Sequence, residues 1–208
     1  MLKLFLIVLW ACVMAYMTAH RRLVISGARK SVNLSNIMLM LPLIGLLGLR
    51  TDYNDTAAYI SGFDNAPMLA EFFKDQKNYD LLGNPLFDLY TSAVRTLTSN
   101  YHIYFMIAAI FVVVLMITFF YRIAEEDTYT LTIFTFLTLG TYFFALAAMK
   151  QTIAMAVLCH SVLALRDKKY FRFSLLVFVA GLLHTYAWVF FILLFLTGKP
   201  WSLRTSPR

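Results

Sequence analysis

Three polar residues stand where apolar ones would be cheaper. Lys150 and Gln151 interrupt "YFFALAAMKQTIAMAVLCHSVLAL", residues 142–165, and His184 interrupts "LLVFVAGLLHTYAWVFFILLFL", residues 175–196. Ionisable side chains inside apolar helices are costly, and they face a bundle interior or a wet cavity. A further group, Arg50, Asp52, Tyr53, Asp55 and Tyr59, follows another apolar run in "LRTDYNDTAAY". Arginine grips phosphate with a planar fork and lysine as a point charge. Histidine, with an ordinary pKa of about 6.5, can accept a proton near neutrality. Arg, Lys and His around one cavity would suit a phosphate or diphosphate beside a group to be deprotonated. Blander readings stand beside this one: Lys150 snorkelling at a helix end, His184 hydrogen-bonded to a neighbouring helix, and Arg50 and Asp52 solvated at an interface.

The elements that must carry these residues are membrane helices. The chain has 208 residues, 61% hydrophobic and 14% charged, with a mean hydropathy of +0.71. A soluble domain carries about a quarter charged residues. About twenty apolar residues span a bilayer, and the sequence predicts an all-α bundle of about six transmembrane helices at residues 4–18, 34–49, 101–121, 129–147, 150–165 and 173–196. Between residues 129 and 165 Lys150 is the one formal charge. That stretch is too long for one span, so a tight turn is expected near residues 146–149. Residues 1–198 read as a single membrane domain and 199–208 as a polar tail. The first run has no small-residue cleavage site after it and reads as a retained helix.

Charge sets the expected orientation. Arg21, Arg22, Arg29 and Lys30 fall in one short loop, and Arg166, Lys168, Lys169 and Arg172 in another. Both belong inside by the positive-inside tendency. The N-terminus and residues 50–100 then face outward, and this outer loop holds seven acidic and four basic residues. Its "AAYISGF" and "PLFDLYTSAVRTLTS" read as short amphipathic helices on the membrane surface, interrupted by Gly62, Pro67, Gly83 and Pro85. On this topology Lys150 lies at the outer end of the fifth span, and small residues after it, Ala154, Ala156 and Val157, permit close helix packing. His184 falls about eleven residues into the last span, near mid-membrane. His160 lies deeper in the fifth span with Ser161 as a local partner, and His20 and His102 mark span boundaries.

Several function classes find no support. The net charge of +7 sits in loops that set orientation and is no sign of nucleic-acid binding. Phosphate-loop, dinucleotide-binding, serine-elbow and zinc-protease motifs are absent from the sequence. Cys12 and Cys159 lie in apolar runs and read as packing residues, and no cofactor or metal is implied.

In order along the chain, "DYNDTAAY", "MKQTIAMAV" and "FVAGLLHTYAWVFFI" resemble the EpsG family of polysaccharide-producing membrane proteins, related to Wzy-like polymerases of exopolysaccharide and O-antigen. Arg50, Asp52, Tyr53, Gln151, Ala154, His184 and Ala187 match the family pattern, and Lys150 stands where arginine is usual. The resemblance implies a glycosyltransferase of the bacterial cytoplasmic membrane, active on its outer face. It would transfer a growing oligosaccharide from undecaprenyl diphosphate to a lipid-linked repeat unit. Its partners would be that lipid-linked oligosaccharide, the membrane and other polysaccharide-synthesis or export proteins. His184 and Asp52 are then the catalytic candidates; Arg50, Tyr53, Tyr59, Lys150 and Gln151 are candidates for binding diphosphate or glycan. A flippase or transporter, or a non-catalytic subunit of an export complex, are the alternative readings. The resemblance also implies further spans after the histidine helix, so the chain reads as C-terminally shortened.

Overall fold

The structure, a computed structural model, describes residues 2–24 and 33–196, with the backbone alone for 21–24. The first basic loop and the tail 199–208, which enter the expected orientation, lie outside the described side chains. Among the described residues there are eleven α-helices and two 3₁₀ segments. In chain order they are α1 (Leu2–Val24), α2 (Leu34–Gly48), α3 (Thr56–Asp64), α4 (Leu69–Phe72), a 3₁₀ turn (Gln76–Tyr79), α5 (Pro85–Leu97), α6 (Tyr101–Ile123), α7 (Tyr129–Thr138), α8 (Thr141–Ala147), α9 (Met149–Arg166), α10 (Tyr170–Leu183), a second 3₁₀ segment (Thr185–Ile192) and α11 (Leu193–Leu196).

By length and composition α1 and α6 are long and apolar enough to cross a membrane. At 1.5 Å per residue each runs about 35 Å, against a hydrocarbon core of about 30 Å. A third candidate is the pair α7 and α8, bent by 43° at the break between them. The bend follows from Gly140, whose φ of 88° is open to glycine and disfavoured for other residues. The expected turn before Lys150 is present too, at Ala148, which ends α8 and starts α9. The helices α2 and α10 and the segment Thr185–Leu196 are apolar but shorter.

Local signals set the helix starts. Asn33 caps α2, its side chain accepting from the Asn36 amide at 2.9 Å, and Asn100 caps α6 in the same way through the His102 amide at 2.9 Å. Packing then selects the faces. Helix α1 buries Ala11, Ala15 and Ala19 at four-residue spacing, which lets it approach α2 and α7 closely. Its Phe5, Leu9, Trp10 and Val13 stay exposed, as suits a lipid-facing surface. The central α6 packs against α2 and α9, and α9 against α10. Leu39, Leu43, Phe105, Ile117, Phe173 and Val177 form the interior between them.

Two expectations need correction. The stretch 173–196 is not one helix: α10 ends at Leu183, and His184 has an extended backbone (φ −156°, ψ 119°) before the 3₁₀ segment begins. Hydrogen bonds from another part of the chain cause this break, as described below. The second concerns α5, which does more than lie on a surface. Its amphipathic face packs on α6 and α10, with the Tyr90 hydroxyl donating to the Tyr104 carbonyl.

Candidate functional site at the α5, α9 and α10 junction

The chain leaves α2 through a tight reversal. Tyr53 and Asn54 both have positive φ, 147° and 44°; the first value is unfavourable for an aromatic residue. Thr56 fastens the turn, its amide and hydroxyl both donating to the Tyr53 carbonyl, at 3.0 and 2.6 Å. This folds α3 back so that Tyr59 meets Arg50 and the start of α9.

Arg50 is 7% exposed, and its Nη1 donates to the carbonyls of Ala145 and Leu146 at 3.0 and 2.8 Å. Those carbonyls belong to the last turn of α8, which has no intrahelical donors for them. A cation there also complements the helix dipole. The guanidinium carbon lies 4.3 Å from the Phe105 ring centroid and 5.8 Å from that of Tyr59. Burial pulls the Arg50 pKa below its ordinary value. Arg50 thus braces the α8–α9 turn, leaving its Nε–H without a partner.

Lys150 rides on that turn. Its amide donates to the Tyr59 hydroxyl at 3.3 Å, and its Nζ lies 5.3 Å from the Phe87 ring centroid. Burial pushes the Tyr59 phenol up, opposed by that amide. A lysine in the first turn of a helix works against the dipole, so Lys150 has no capping role to explain it. The same arrangement, cation plus helix N-terminus, attracts an anion. Asp88 on α5 is near enough to feel the lysine: partial desolvation raises its carboxyl above the usual range, and the Lys150 charge pulls it back.

His184 reaches the same place from α10. The Thr185 amide, which an unbroken α-helix would bond to Gly181, donates instead to Asn84 Oδ1 at 2.8 Å. The Thr185 hydroxyl donates to the Leu82 carbonyl at 2.5 Å. Asn84 can hold out its side chain because it sits in the left-handed region (φ 64°), directly before Pro85 at the start of α5. Beyond the break the chain turns back over α10, and a Cβ at Gly181 would fall 2.5 Å from the Trp188 ring. Only glycine permits that approach. Both ring nitrogens of His184 are buried and unpartnered, and Lys150 is close enough for its charge to act on the ring.

The junction therefore gathers Lys150, His184, Tyr59 and, behind them, Arg50. Asp52, Tyr53 and Gln151 are exposed, and their side chains make no hydrogen bond among the described residues. Asn84, Phe87, Asp88, Thr185 and Trp188 also belong to the junction and were not singled out from the sequence. The triplet Gly-Asn-Pro at 83–85 is the signal that could have marked Asn84, as a left-handed residue before a helix-starting proline. His160, by contrast, donates through Nε2 to the Leu115 carbonyl at 2.9 Å. Ser161 is not its partner, since that hydroxyl donates to Leu158 at 2.7 Å. No group of three or more His, Cys, Asp or Glu side chains among the described residues could hold a metal ion.

These features define a helical membrane protein with a cationic, histidine-bearing junction at one end of its bundle. The EpsG family model matches residues 33–206, and the chain belongs to that family. Comparison with the curated proteins and with the solved structures finds no match for the chain. Family membership points to a membrane protein of polysaccharide synthesis.

Proposed function

We propose that this protein is a glycan polymerase of the cytoplasmic membrane, using undecaprenyl-diphosphate-linked oligosaccharides at its outer face. The observation that carries the reading is the pairing of Lys150, at a helix N-terminus, with an unpartnered His184 in a chain of the EpsG family. Lys150 holds the diphosphate and neutralises charge as it leaves. His184 takes the proton of the acceptor hydroxyl, whose oxygen bonds to the anomeric carbon as the bond to the diphosphate oxygen breaks. Undecaprenyl diphosphate departs, and no nucleotide sugar is needed. Arg50 acts as a positioning residue, through the α8 carbonyls it holds. Tyr59 supports the Lys150 amide, while the exposed Asp52, Tyr53 and Gln151 contact the sugars.

The topology that goes with this reading has six spans: α1, α2, α6, α7 with α8, α9, and α10 with the 3₁₀ segment and α11. The N-terminus and residues 50–100 face outward. Eight residues of 3₁₀ helix are unusual in length, and such stretches often mark functional hinges.

The test uses a host whose polymer depends on this protein, carrying Lys150→Ala, Lys150→Arg or His184→Ala. Both alanine variants should lose long polymer and accumulate single lipid-linked units outside, and Lys150→Arg should retain polymer. Units accumulating inside would favour a flippase. Normal polymer from both alanine variants at normal protein level would reject the site.

A further inference from the structure

A cavity of about 400 Å³ lies directly beneath the charged junction, walled by α5, α6, α9 and α10. Pockets that take organic ligands run about 300–1,000 Å³. Leu89, Ala93, Phe111, Ile153, Val179 and Leu183 line it. Tyr90 also lines it, but its hydroxyl is spent on the Tyr104 carbonyl. The lining therefore offers carbon alone. Ile107 and Phe111 are 41% and 43% exposed, so the cavity is open sideways, between helices, rather than sealed.

Its alignment with the junction is fixed by three helices. Ile153 is one turn deeper along α9 than Lys150. Leu183 is the residue before His184, and Val179 is one turn deeper along α10. On α6, Ile107 and Phe111 lie about 9–15 Å in from Tyr101 along the helix axis. All three count inward from the end of the bundle that carries Lys150. Charge sits at the mouth and an apolar slot runs from it towards the middle of the bundle. This is the order of a lipid with an anionic headgroup and a hydrocarbon tail.

We infer that the slot between α5, α6, α9 and α10 holds the first isoprenoid units of the polyprenyl carrier, whose diphosphate rests at Lys150. The inference builds on the proposed function and assigns it a tail site. Two features favour the carrier chain as occupant. The cation at the mouth complements a diphosphate, and the side opening lets a chain already in the bilayer slide in without leaving it. One wall, α5, comes from the outer loop rather than from a spanning helix. The same short segment, 82–90, thus supplies Asn84 to fix His184 and Leu89 and Tyr90 to line the slot. Headgroup and tail sites are consequently coupled through α5.

The test uses the full chain, purified and reconstituted in phosphatidylcholine vesicles containing labelled undecaprenyl diphosphate. The photo-crosslinking residue p-benzoylphenylalanine replaces Phe111 in the slot or, as control, Leu131, which is 60% exposed on α7. Retention of label by the protein is measured beside cross-linking. The expected result is label cross-linked at 111 and not at 131, displaced by unlabelled undecaprenyl diphosphate and not by added phospholipid. Lys150→Ala should lower that cross-linking by about tenfold, the scale of one charge-assisted contact. Lys150-dependent retention without cross-linking at 111 would overturn the slot while leaving the diphosphate site standing. Cross-linking to phosphatidylcholine alone at 111, with label still retained, would overturn it likewise. Loss of all retention would remove the slot and the proposed function together.

Discussion

His160 and His184 are held in opposite ways. His160 sits in unbroken α9 and gives its Nε2–H to the Leu115 carbonyl of α6, with Thr118 Oγ1 3.5 Å away. His184 sits where α10 has been broken, with both ring nitrogens buried and unpartnered. A buried polar group without a partner costs about 1–3 kcal/mol. The first histidine joins two helices; the second is held in readiness at a net cost, beside a lysine that also opposes its own helix dipole. Two unfavourable placements in one junction are what a binding or catalytic site tolerates and a packing interface does not.

Substitution at the two positions should separate them most widely. His184→Ala should lower polymer formation by about 10²–10⁴-fold, the usual worth of a general base, with little change in thermal stability. His160→Ala should leave turnover near normal and lower stability by about 1 kcal/mol, one hydrogen bond. Thermal melts and chain-length gels on the same preparations read both. Equal losses of activity from the two variants would erase the distinction.

The break that holds His184 can be attacked next. Gly181→Ala drives a Cβ against the Trp188 ring and should cost about 1–3 kcal/mol of stability. Gly181→Ala combined with Trp188→Leu should recover part of that, measured by the shift in Tm. Failure of the pair to recover anything would place the strain elsewhere. Asn84→Ala removes the acceptor for Thr185 and should cost about 0.5–2 kcal/mol, as lost caps do. It should also lower kcat more than KM is raised, because His184 shifts while Lys150 stays.

The smallest expected effect is at Asp88. Its carboxyl is raised by partial desolvation, so its folded form holds the proton more tightly than the unfolded chain does. The associated stability is present below the ordinary aspartate range and is lost as pH rises through the raised value. Asp88→Asn should match the parent in acid and be slightly more stable near neutrality. A less stable Asn variant at neutral pH would mean that the pairing with Lys150 outweighs desolvation.

The sequence alone located most of the helices, for reasons that are local. The apolar run at 101–121 forms α6, Tyr101–Ile123, and that at 34–49 forms α2, Leu34–Gly48, a shorter apolar helix. Apolar runs bounded by Asn caps were sufficient. The turn ahead of Lys150 was legible because 37 residues exceed one span. What stayed hidden depends on contacts between distant parts of the chain. The α10 break needs Asn84, 101 positions before Thr185, and Arg50 finds its carbonyl partners 95 and 96 positions later. No periodicity encodes such pairings. Lys150 and His184 stood out as costly residues, but their meeting at one junction required the fold. Asp52 and Gln151 carried equal weight as sequence signals, and the fold leaves both exposed.

On the proposed function, this chain itself joins lipid-linked sugars at the Lys150–His184 junction. The direct measurement supplies the purified full chain in vesicles with a labelled undecaprenyl-diphosphate repeat unit and no nucleotide sugar. The expected result is a ladder of longer lipid-linked products, released undecaprenyl diphosphate in step with each addition, and neither from Lys150→Ala or His184→Ala. A ladder of equal length and rate from both variants would contradict it.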